Sequence, residues 1–250
     1  MTDSTHFRFS STVLIVPMAA VILVWGVYWI EVAFGFNFNH FGIFPRSLSG
    51  LKGIFLSPFI HGSLKHLYNN TIPVAILLAA LFYFYRNIAF RVLVSGVLLS
   101  GVITWLIGRQ SYHIGASGLI YVLASFIFFK GIFSKHFRLI ALSLIVVFIY
   151  GSLLWYIFPV KDGISWEGHL AGFITGFLFA LILKAKVPKP KKYEWEREDY
   201  NEADDPFLKH FDADGNFIEI QEEELDEQET DSKMKYVYHF RKEDETEDGK

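Results

Sequence analysis

The sequence predicts an all-α membrane protein, a six-transmembrane-helix bundle with an interfacial first loop and an acidic cytosolic tail. Hydrophobic residues make up 52% of the chain and the mean hydropathy is +0.31, more than a soluble core requires. Residues 1–192 carry a net charge of +12, whereas residues 193–250 carry −15. These observations argue against a soluble globular enzyme and predict two domains, a membrane-embedded core at 1–186 and a tail at 187–250.

Six apolar stretches are each close to the ~20 residues that cross a hydrocarbon core. They lie at about 13–33, 67–85, 89–108, 116–133, 137–159 and 168–184. The first stretch is too long for a signal peptide, contains Glu31 near its far end and lacks a small-residue cleavage pattern. We therefore expect it to stay in the membrane as the first of six helices.

The connection at about 35–65 is too apolar for an ordinary solvated loop. Pro45, Pro58 and several glycines interrupt it, so it is not expected to span the membrane. It either lies at the membrane interface with its apolar side chains towards lipid or packs on the surface of the bundle. Both arrangements fit the sequence.

The tail begins where Pro188 and Pro190 end the last helix and the composition becomes acidic. Residues 222–231 are expected to be disordered because they are strongly acidic. Alternating apolar residues near 217–220 and 236–240 predict a short hairpin.

Orientation follows from positive charge, because Lys and Arg are retained on the cytoplasmic side of a membrane. The side that holds the N-terminus carries eleven of these residues. The opposite side carries five, namely Arg46, Lys52, Lys65, Arg109 and Lys161. The sequence therefore predicts a multi-pass protein of the cell membrane with both termini in the cytoplasm.

The chain has no cysteine. Disulfides, thiolate zinc sites, iron–sulfur clusters and a thiol nucleophile are thereby excluded. Any nucleophile must be an oxygen or a nitrogen.

Ser117 is one of several polar residues predicted at membrane depth, where such groups are costly unless they are partnered or face water. It follows a polar connection and is expected to open the fourth helix, where free N–H groups suit an oxyanion. Gly115 and Gly118 would let a substrate carbonyl or another helix approach closely. An N-capping serine among small packing residues fits the same pattern.

His169 lies beside a stripe of three glycines at four-residue spacing, Gly168, Gly172 and Gly176. Such a stripe lets a second helix pack at short distance. If that helix begins at Gly115, the imidazole can reach the Ser117 hydroxyl and act as its general base. A buried, hydrogen-bonded histidine is the alternative interpretation.

His66 and Asn70 stand four residues apart at the start of the second helix and therefore share one face. His61 precedes His66 by five residues. Together these residues offer hydrogen-bond donors at one place. Fixed donors in a pocket of low dielectric constant are what a tetrahedral acyl intermediate needs.

These patterns, taken in order, resemble the rhomboid family of intramembrane serine proteases. They read His61-x4-His66-x3-Asn70, Gly115-x-Ser117-Gly118 and His169-x2-Gly172-x3-Gly176. The resemblance covers about residues 10–185. Two positions depart from the family: Phe44-Pro45-Arg46 stands where many relatives carry Trp-Arg, so Arg46 has no assigned role, and Gly168 replaces a common Ala.

The resemblance implies a catalytic dyad of Ser117 and His169 without an acidic third member. It implies an oxyanion site formed by His66, Asn70 and the backbone N–H of Ser117. The ring of Tyr121 would pack against His169. The active site would open to the extracytoplasmic side.

The function implied is a serine endopeptidase that cleaves peptide bonds in or near transmembrane helices of membrane-protein substrates in the lipid bilayer. No cofactor, metal or nucleic-acid partner is expected, and the sequence does not identify the substrate or the oligomeric state. A non-proteolytic relative that binds or chaperones membrane proteins is the alternative, and it would lack the nucleophile or the base. A metal-dependent protease or transporter is disfavoured because no H-E-x-x-H motif occurs.

Overall fold

The computed structural model describes residues 7, 9–161, 163–186, 193–205, 207–212 and 214–218. In these ranges the chain is helical and has no strand, apart from isolated bridges that join Ile43 to His113 and Phe211 to Phe217. The chain divides into two compact units, Met1–Lys191 and Lys192–Lys250.

Seven α-helices lie in the first unit's described residues. They are α1 (Thr12–Phe34), α2 (Gly53–Leu56), α3 (Leu64–Phe84), α4 (Ala89–Ile107), α5 (Ser117–Phe133), α6 (Phe137–Tyr150) and α7 (Trp166–Ile182). Short 3-10 segments lie between them at Asn39–Phe41, Leu48–Gly50, Ser57–Phe59 and Gly151–Ile157. By length and composition α1, α3 and α4 can each cross a membrane, whereas α5, α6 and α7 are apolar but shorter.

The fifth apolar stretch differs from its prediction. The sequence predicts one helix over 137–159, but α6 ends at Tyr150 and the 3-10 segment Gly151–Ile157 follows. Apolar composition does not distinguish an α-helix from a 3-10 segment, and glycine weakens the α-helix where the change occurs. The 3-10 segment packs against α7, so the difference bears on the site.

The bundle is built around α5. Its most extensive contact is with α7, and α3, α4 and α6 also pack against it, while α1 packs on α3. The core contains fully buried side chains such as Leu78, Leu123, Phe126 and Leu139. Many apolar side chains of α1 and α6 remain exposed on the outside, including Phe148 at 91%. An apolar exterior of this extent suits lipid rather than water.

Glycines let α5 and α7 run side by side at short distance. A Cβ atom at Gly172 would lie 2.3 Å from the carbonyl oxygen of Gly118, and one at Gly176 would lie 2.3 Å from that of Val122. These neighbours are backbone atoms of a packed helix and cannot turn aside. Gly172 and Gly176 of the predicted stripe therefore form the close contact with α5, whereas a Cβ atom at Gly168 would meet Ser165 and Thr104 instead. We call the contact at Gly172 and Gly176 the glycine seam.

Lys130 ties the ends of the same two helices at the far side from Ser117. Its ammonium group donates to the carbonyl oxygens of Ala180, at 3.0 Å, and Leu183, at 2.5 Å. The last carbonyls of a helix have no partner within that helix. Lys130 of α5 therefore caps the end of α7.

The first loop, 35–63, packs on the bundle on one side. Ile43, Ile54 and Ile60 are buried, and α2 lies against α4. Leu48 and Phe55 instead expose most of their surface. Packing on the bundle, one of the two predicted arrangements, is thus present, and contact of the exposed face with the membrane interface stays a prediction.

The second unit is described over 193–205, 207–212 and 214–218. It has 3-10 turns at Glu194–Glu196, Glu202–Asp204 and Leu208–His210. The carboxylate of Asp212 accepts hydrogen bonds from the N–H groups of Asp214 and Asn216 and closes a turn. The predicted hairpin partner at 236–240 and the predicted disordered stretch at 222–231 lie outside the described residues.

Candidate active site

Ser117 is the first residue of α5. The turn that leads to it is possible because Gly115 adopts a φ of +105° and donates its N–H to the carbonyl of Ser57 at 2.8 Å. A Cβ atom at Gly115 would lie 2.6 Å from Nε2 of His66. The glycine therefore lets the backbone before Ser117 lie directly against the His66 ring.

Ser117 and His169 are hydrogen bonded, with 2.9 Å between Oγ and Nε2. The other ring nitrogen of His169, Nδ1, lies 2.9 Å from the backbone carbonyl oxygen of Tyr156. A carbonyl can only accept, so Nδ1 carries the hydrogen and Nε2 accepts the bond from the Ser117 hydroxyl. This is the tautomer that a general base requires.

Tyr121 lies one turn after Ser117, and its ring stacks on the imidazole of His169. The ring centroids are 4.3 Å apart and the planes are inclined by 13°. The stacking fixes the imidazole plane, and the Tyr156 carbonyl fixes the rotation within that plane. Together they orient Nε2 towards Ser117 without an acidic residue.

A cleft of about 870 Å³ borders the hydrogen-bonded pair. Five of the predicted site residues line this cleft, namely Ser117, His169, His66, Asn70 and Tyr121. A second cavity of about 40 Å³ also borders Ser117 and is lined in part by Ser100, Thr104 and Ser165. Its volume exceeds the about 10–15 Å³ that a water molecule needs. The site is therefore open enough, and polar enough, to contain water.

Asn70 and His66 line the same side of the cleft from α3. The Ser63 hydroxyl caps this helix by accepting the N–H of His66 at 3.1 Å, which fixes where the helix begins. The Asn70 amide nitrogen donates one hydrogen to the His66 carbonyl, at 3.1 Å. An amide NH₂ has two hydrogens, so one remains for an acceptor in the cleft.

His61 is not among the residues that line the cleft. Its ring packs edge-on against His66 with 5.0 Å between centroids, and it is fully buried. Burial, and then the neighbouring His66, lower the pKa of His61 to about 4, so the ring is neutral. The sequence predicts His61 as a supporting residue beside His66 and Asn70, and in the structure its ring packs against that of His66, outside the cleft lining.

Gly118 contributes less to the contact between the two helices than Gly172 does. A Cβ atom at Gly118 would lie 3.6 Å from the carbonyl oxygen of Gly168, which is ordinary van der Waals contact. The close approach of the two helices thus depends on Gly172, which faces the Gly118 backbone. Of the two glycines that flank Ser117, Gly115 is the one that the geometry requires.

An ion pair between Arg109 and Glu167 lies next to the pair formed by Ser117 and His169. The Glu167 carboxylate is 2% exposed and accepts from the Arg109 guanidinium at 3.1 Å and 3.3 Å, and from the Arg109 backbone N–H at 3.1 Å. The Arg109 guanidinium also donates to the Ile164 carbonyl at 2.6 Å. These bonds join the segment before α5 to the first turn of α7.

His113 makes a second connection between the same segments. Its Nδ1 lies 2.5 Å from the Ser165 hydroxyl and its Nε2 lies 3.1 Å from the Arg109 carbonyl. Burial lowers the pKa of His113, which favours the neutral ring. In addition, His113 and Ile43 exchange backbone hydrogen bonds at 2.9 Å.

Sequence reasoning missed the partners of His169 and of Glu167. A backbone carbonyl such as that of Tyr156 leaves no signal in a sequence. Glu167 offered one, because it is among only four acidic residues in 1–192 and lies two residues before His169. Arg46, which had no assigned role, donates to the carbonyls of Leu106 and Gly108 at the end of α4.

Comparison with known proteins identifies the family. A family model described as Rhomboid domain matches residues 49–186. Uncharacterized proteins of Mycobacterium tuberculosis and Mycobacterium bovis are each 35% identical to this chain over 185 residues, covering 68% of the chain and 75% of the relative. An uncharacterized protein of Mycobacterium leprae is 36% identical over 152 residues, covering 56% of the chain and 59% of the relative. The resemblance predicted from the three motifs is thereby confirmed, and the chain belongs to the rhomboid family.

Proposed function

We propose that this rhomboid family member is an intramembrane serine endopeptidase that cleaves peptide bonds in or near transmembrane helices. The observation that carries the proposal is the 2.9 Å hydrogen bond between Ser117 and His169 at the edge of the cleft. The imidazole is held in the tautomer of a general base by the Tyr156 carbonyl. A nucleophile, a base and a group that orients the base are the parts that acyl transfer requires.

The reaction begins when Ser117 Oγ attacks the substrate carbonyl carbon and His169 Nε2 takes the hydroxyl proton. The proton then passes from Nε2 to the leaving amine, and an acyl-enzyme on Ser117 remains. Water from the cleft loses a proton to Nε2 and attacks the ester carbonyl carbon. The proton then passes from Nε2 to Ser117 Oγ as the ester bond breaks, which releases the second product and restores the enzyme. The Tyr156 carbonyl stabilises the imidazolium that forms in both halves of the reaction.

Negative charge on the substrate oxygen would be stabilised by three donors, the free hydrogen of the Asn70 amide, the His66 ring and the Ser117 backbone N–H. All three groups belong to residues that border the same cleft. Loss of one such donor typically lowers kcat by about 10²–10³.

Substrates would be proteins with a single or multiple transmembrane helices whose cleavable segment unwinds. A regular helix hides its carbonyls in internal hydrogen bonds, so we expect Gly, Pro or small residues near the cut. We further propose that six helices span the membrane. Positive charge predominates on the side of the N-terminus, so we place both termini in the cytoplasm and the mouth of the cleft on the opposite side.

The test is reconstitution of the purified protein in lipid vesicles with a panel of single-span substrates. Wild-type protein should cleave at least one of them and should be labelled by a serine-directed fluorophosphonate. Ser117→Ala should neither cleave the substrates nor be labelled by the fluorophosphonate. Ser125→Ala is the matched control, because Ser125 lies on the same helix and bonds the Phe173 carbonyl at 2.8 Å, away from the cleft.

Equal cleavage by wild type and Ser117→Ala would overturn the proposal. A correctly folded wild type that binds substrates but neither cleaves them nor reacts with the fluorophosphonate would favour a non-proteolytic, substrate-binding relative instead.

A further inference from the structure

We propose that Arg109 and Glu167 are positioning residues for the Ser117–His169 pair. Their ion pair, together with the His113–Ser165 hydrogen bond, joins the segment that leads into α5 to the segment that opens α7. We name this set of contacts the 109–167 clamp. The inference rests on the proposed function, because a positioning role has meaning only if Ser117 and His169 react.

The need for a clamp follows from where the two reacting side chains are attached. Ser117 and His169 are 52 residues apart and stand at the first turns of two different helices. The glycine seam sets the distance between the helix axes further along, at Gly172 and Gly176. The geometry of the reacting atoms depends on the segments that enter the two helices. A misplacement of about 1 Å between reacting groups can cost 10²-fold in rate.

The clamp connects these two entering segments directly. Glu167 lies two residues before His169, and Arg109 lies eight residues before Ser117. Three hydrogen bonds reach the Glu167 carboxylate from Arg109, one of them from the backbone, so the contact fixes the position of the chain and not only of the side chain. A backbone donor cannot change rotamer, which makes this contact more rigid than an ordinary surface ion pair.

Burial makes the contact obligatory. The Glu167 carboxylate is 2% exposed, whereas the Arg109 side chain is 42% exposed and lines the cleft. A buried carboxylate is strongly destabilised without its cation, so Glu167 holds Arg109 in place. The first turn of α7 therefore cannot move away from the 109–113 segment without exposing the Glu167 carboxylate or separating it from Arg109.

The neutral His113 reinforces the connection four residues before Ser117. Its Nε2 donates to the Arg109 carbonyl, so its Nδ1 accepts from the Ser165 hydroxyl. Ser165 precedes the first residue of α7 and, through its backbone carbonyl, accepts the N–H of His169 at 3.2 Å. One chain of bonds thus leads from the segment before Ser117 to the backbone of His169.

The primary variant is Glu167→Gln, which keeps the shape of the side chain and one acceptor for the Arg109 N–H but removes the charge. Three properties are measured on one preparation. They are the second-order rate constant of labelling by the fluorophosphonate, kcat and KM for a cleaved single-span substrate, and the melting temperature. We expect labelling and kcat to fall by ~10-fold or more, since misplacement of reacting groups is costly, while KM changes less than about twofold. The double variant Arg109→Gln/Glu167→Gln should be about as slow as Glu167→Gln alone, because the two residues act as one unit.

Lys130→Gln is the matched control, because it removes the polar contact at the opposite end of the same two helices. It should lower the melting temperature at least as much as Glu167→Gln and leave labelling per folded molecule unchanged. Ser165→Ala removes only the hydroxyl that bonds His113, and it should lower the labelling rate as well. This variant keeps the inference testable if Glu167→Gln does not fold.

Wild-type labelling and kcat in folded Glu167→Gln and Ser165→Ala would overturn the clamp and leave the proposed protease intact. A fall in rate that is fully explained by a smaller folded fraction would overturn it too. Absence of both labelling and cleavage in the wild type would instead overturn the proposed function itself.

Discussion

Gly115 couples backbone conformation to the chemistry of the site. A φ of +105° is strained for any residue with a side chain, and a methyl group there would meet the His66 ring at 2.6 Å. We expect Gly115→Ala to displace His66 and to lower kcat by ~10-fold or more, as for a misaligned oxyanion donor. Steady-state cleavage of a single-span substrate measures the effect.

Gly118→Ala is the control for this substitution, since its new methyl group would meet the Gly168 carbonyl at an ordinary 3.6 Å. It should keep kcat within about threefold of the wild type, since a methyl group in ordinary contact disturbs no neighbour. Equal losses in the two variants would contradict the distinction between the glycines that flank Ser117.

Substitution of Asn70 tests whether its amide stabilises the tetrahedral intermediate or only stabilises the fold. If its free hydrogen reaches the oxyanion, Asn70→Ala should lower kcat by about 10²–10³ and change KM little. Melting temperature and kcat are measured on the same preparation. A destabilised variant with unchanged kcat would show that Asn70 serves only to bond the His66 carbonyl.

The roles of single residues could be predicted where polar and small residues stand out in an apolar background. Ser117, His169 and Asn70 were found in this way, and the structure brings them to one cleft. His61 is predicted as a supporting residue beside the oxyanion donors, and its ring packs against that of His66. Arg109 and Glu167 were missed because Arg109 was counted only among the charges that set the orientation and Glu167 was assigned no role.

The contact between α5 and α7 is sensitive to one methyl group. Gly172→Ala would force a Cβ atom to 2.3 Å from the Gly118 carbonyl oxygen, so the helices must separate. Overpacking of this kind costs about 1–3 kcal/mol, and we expect the free energy of unfolding in detergent to fall by that amount. Cleavage should fall as well, because His169 moves with α7.

Gly26→Ala is the matched control in α1, where a new Cβ atom would have nothing within 4 Å. It should leave stability unchanged or raise it by up to about 1 kcal/mol, since alanine favours the helix. Loss of stability comparable to that of Gly172→Ala would contradict the special status of the glycine seam.

Helix positions were predicted better than helix ends. The predicted stretches at 13–33 and 89–108 nearly coincide with α1 and α4, because lipid-spanning composition is a strong signal. The end of α6 at Tyr150 was not predicted, since the 3-10 segment after it is equally apolar. The Tyr156 carbonyl, which orients His169, lies in that segment.

The charge of the chain predicts both its orientation and the independence of its tail. Reporter fusions at 190 and 250 should both indicate the cytoplasm, because the side of the N-terminus holds eleven Lys and Arg residues against five. An extracytoplasmic reading at either position would overturn the orientation.

Truncation after Lys192 should leave cleavage in detergent within about twofold of the full chain. Every proposed site residue lies before 177, and the −15 segment would be repelled by an anionic inner leaflet. Cleavage and melting temperature of the truncated protein check this expectation. Loss of cleavage with an unchanged melting temperature would make the tail part of the enzyme.

The parallel arrangement of α5 and α7 has an electrostatic consequence. The peptide dipoles of both helices point the same way, so two positive ends meet at the cleft, beside Ser117 and His169. Lys130 offsets the negative end of α7, and Glu167 offsets its positive end. The first turn of α5 carries no acidic residue, so no side chain of that turn offsets the positive end of this helix. The electric field of the helix therefore acts on the group that occupies the cleft. A negatively charged tetrahedral group would gain roughly 0.3–1 kcal/mol there over a neutral group of the same shape.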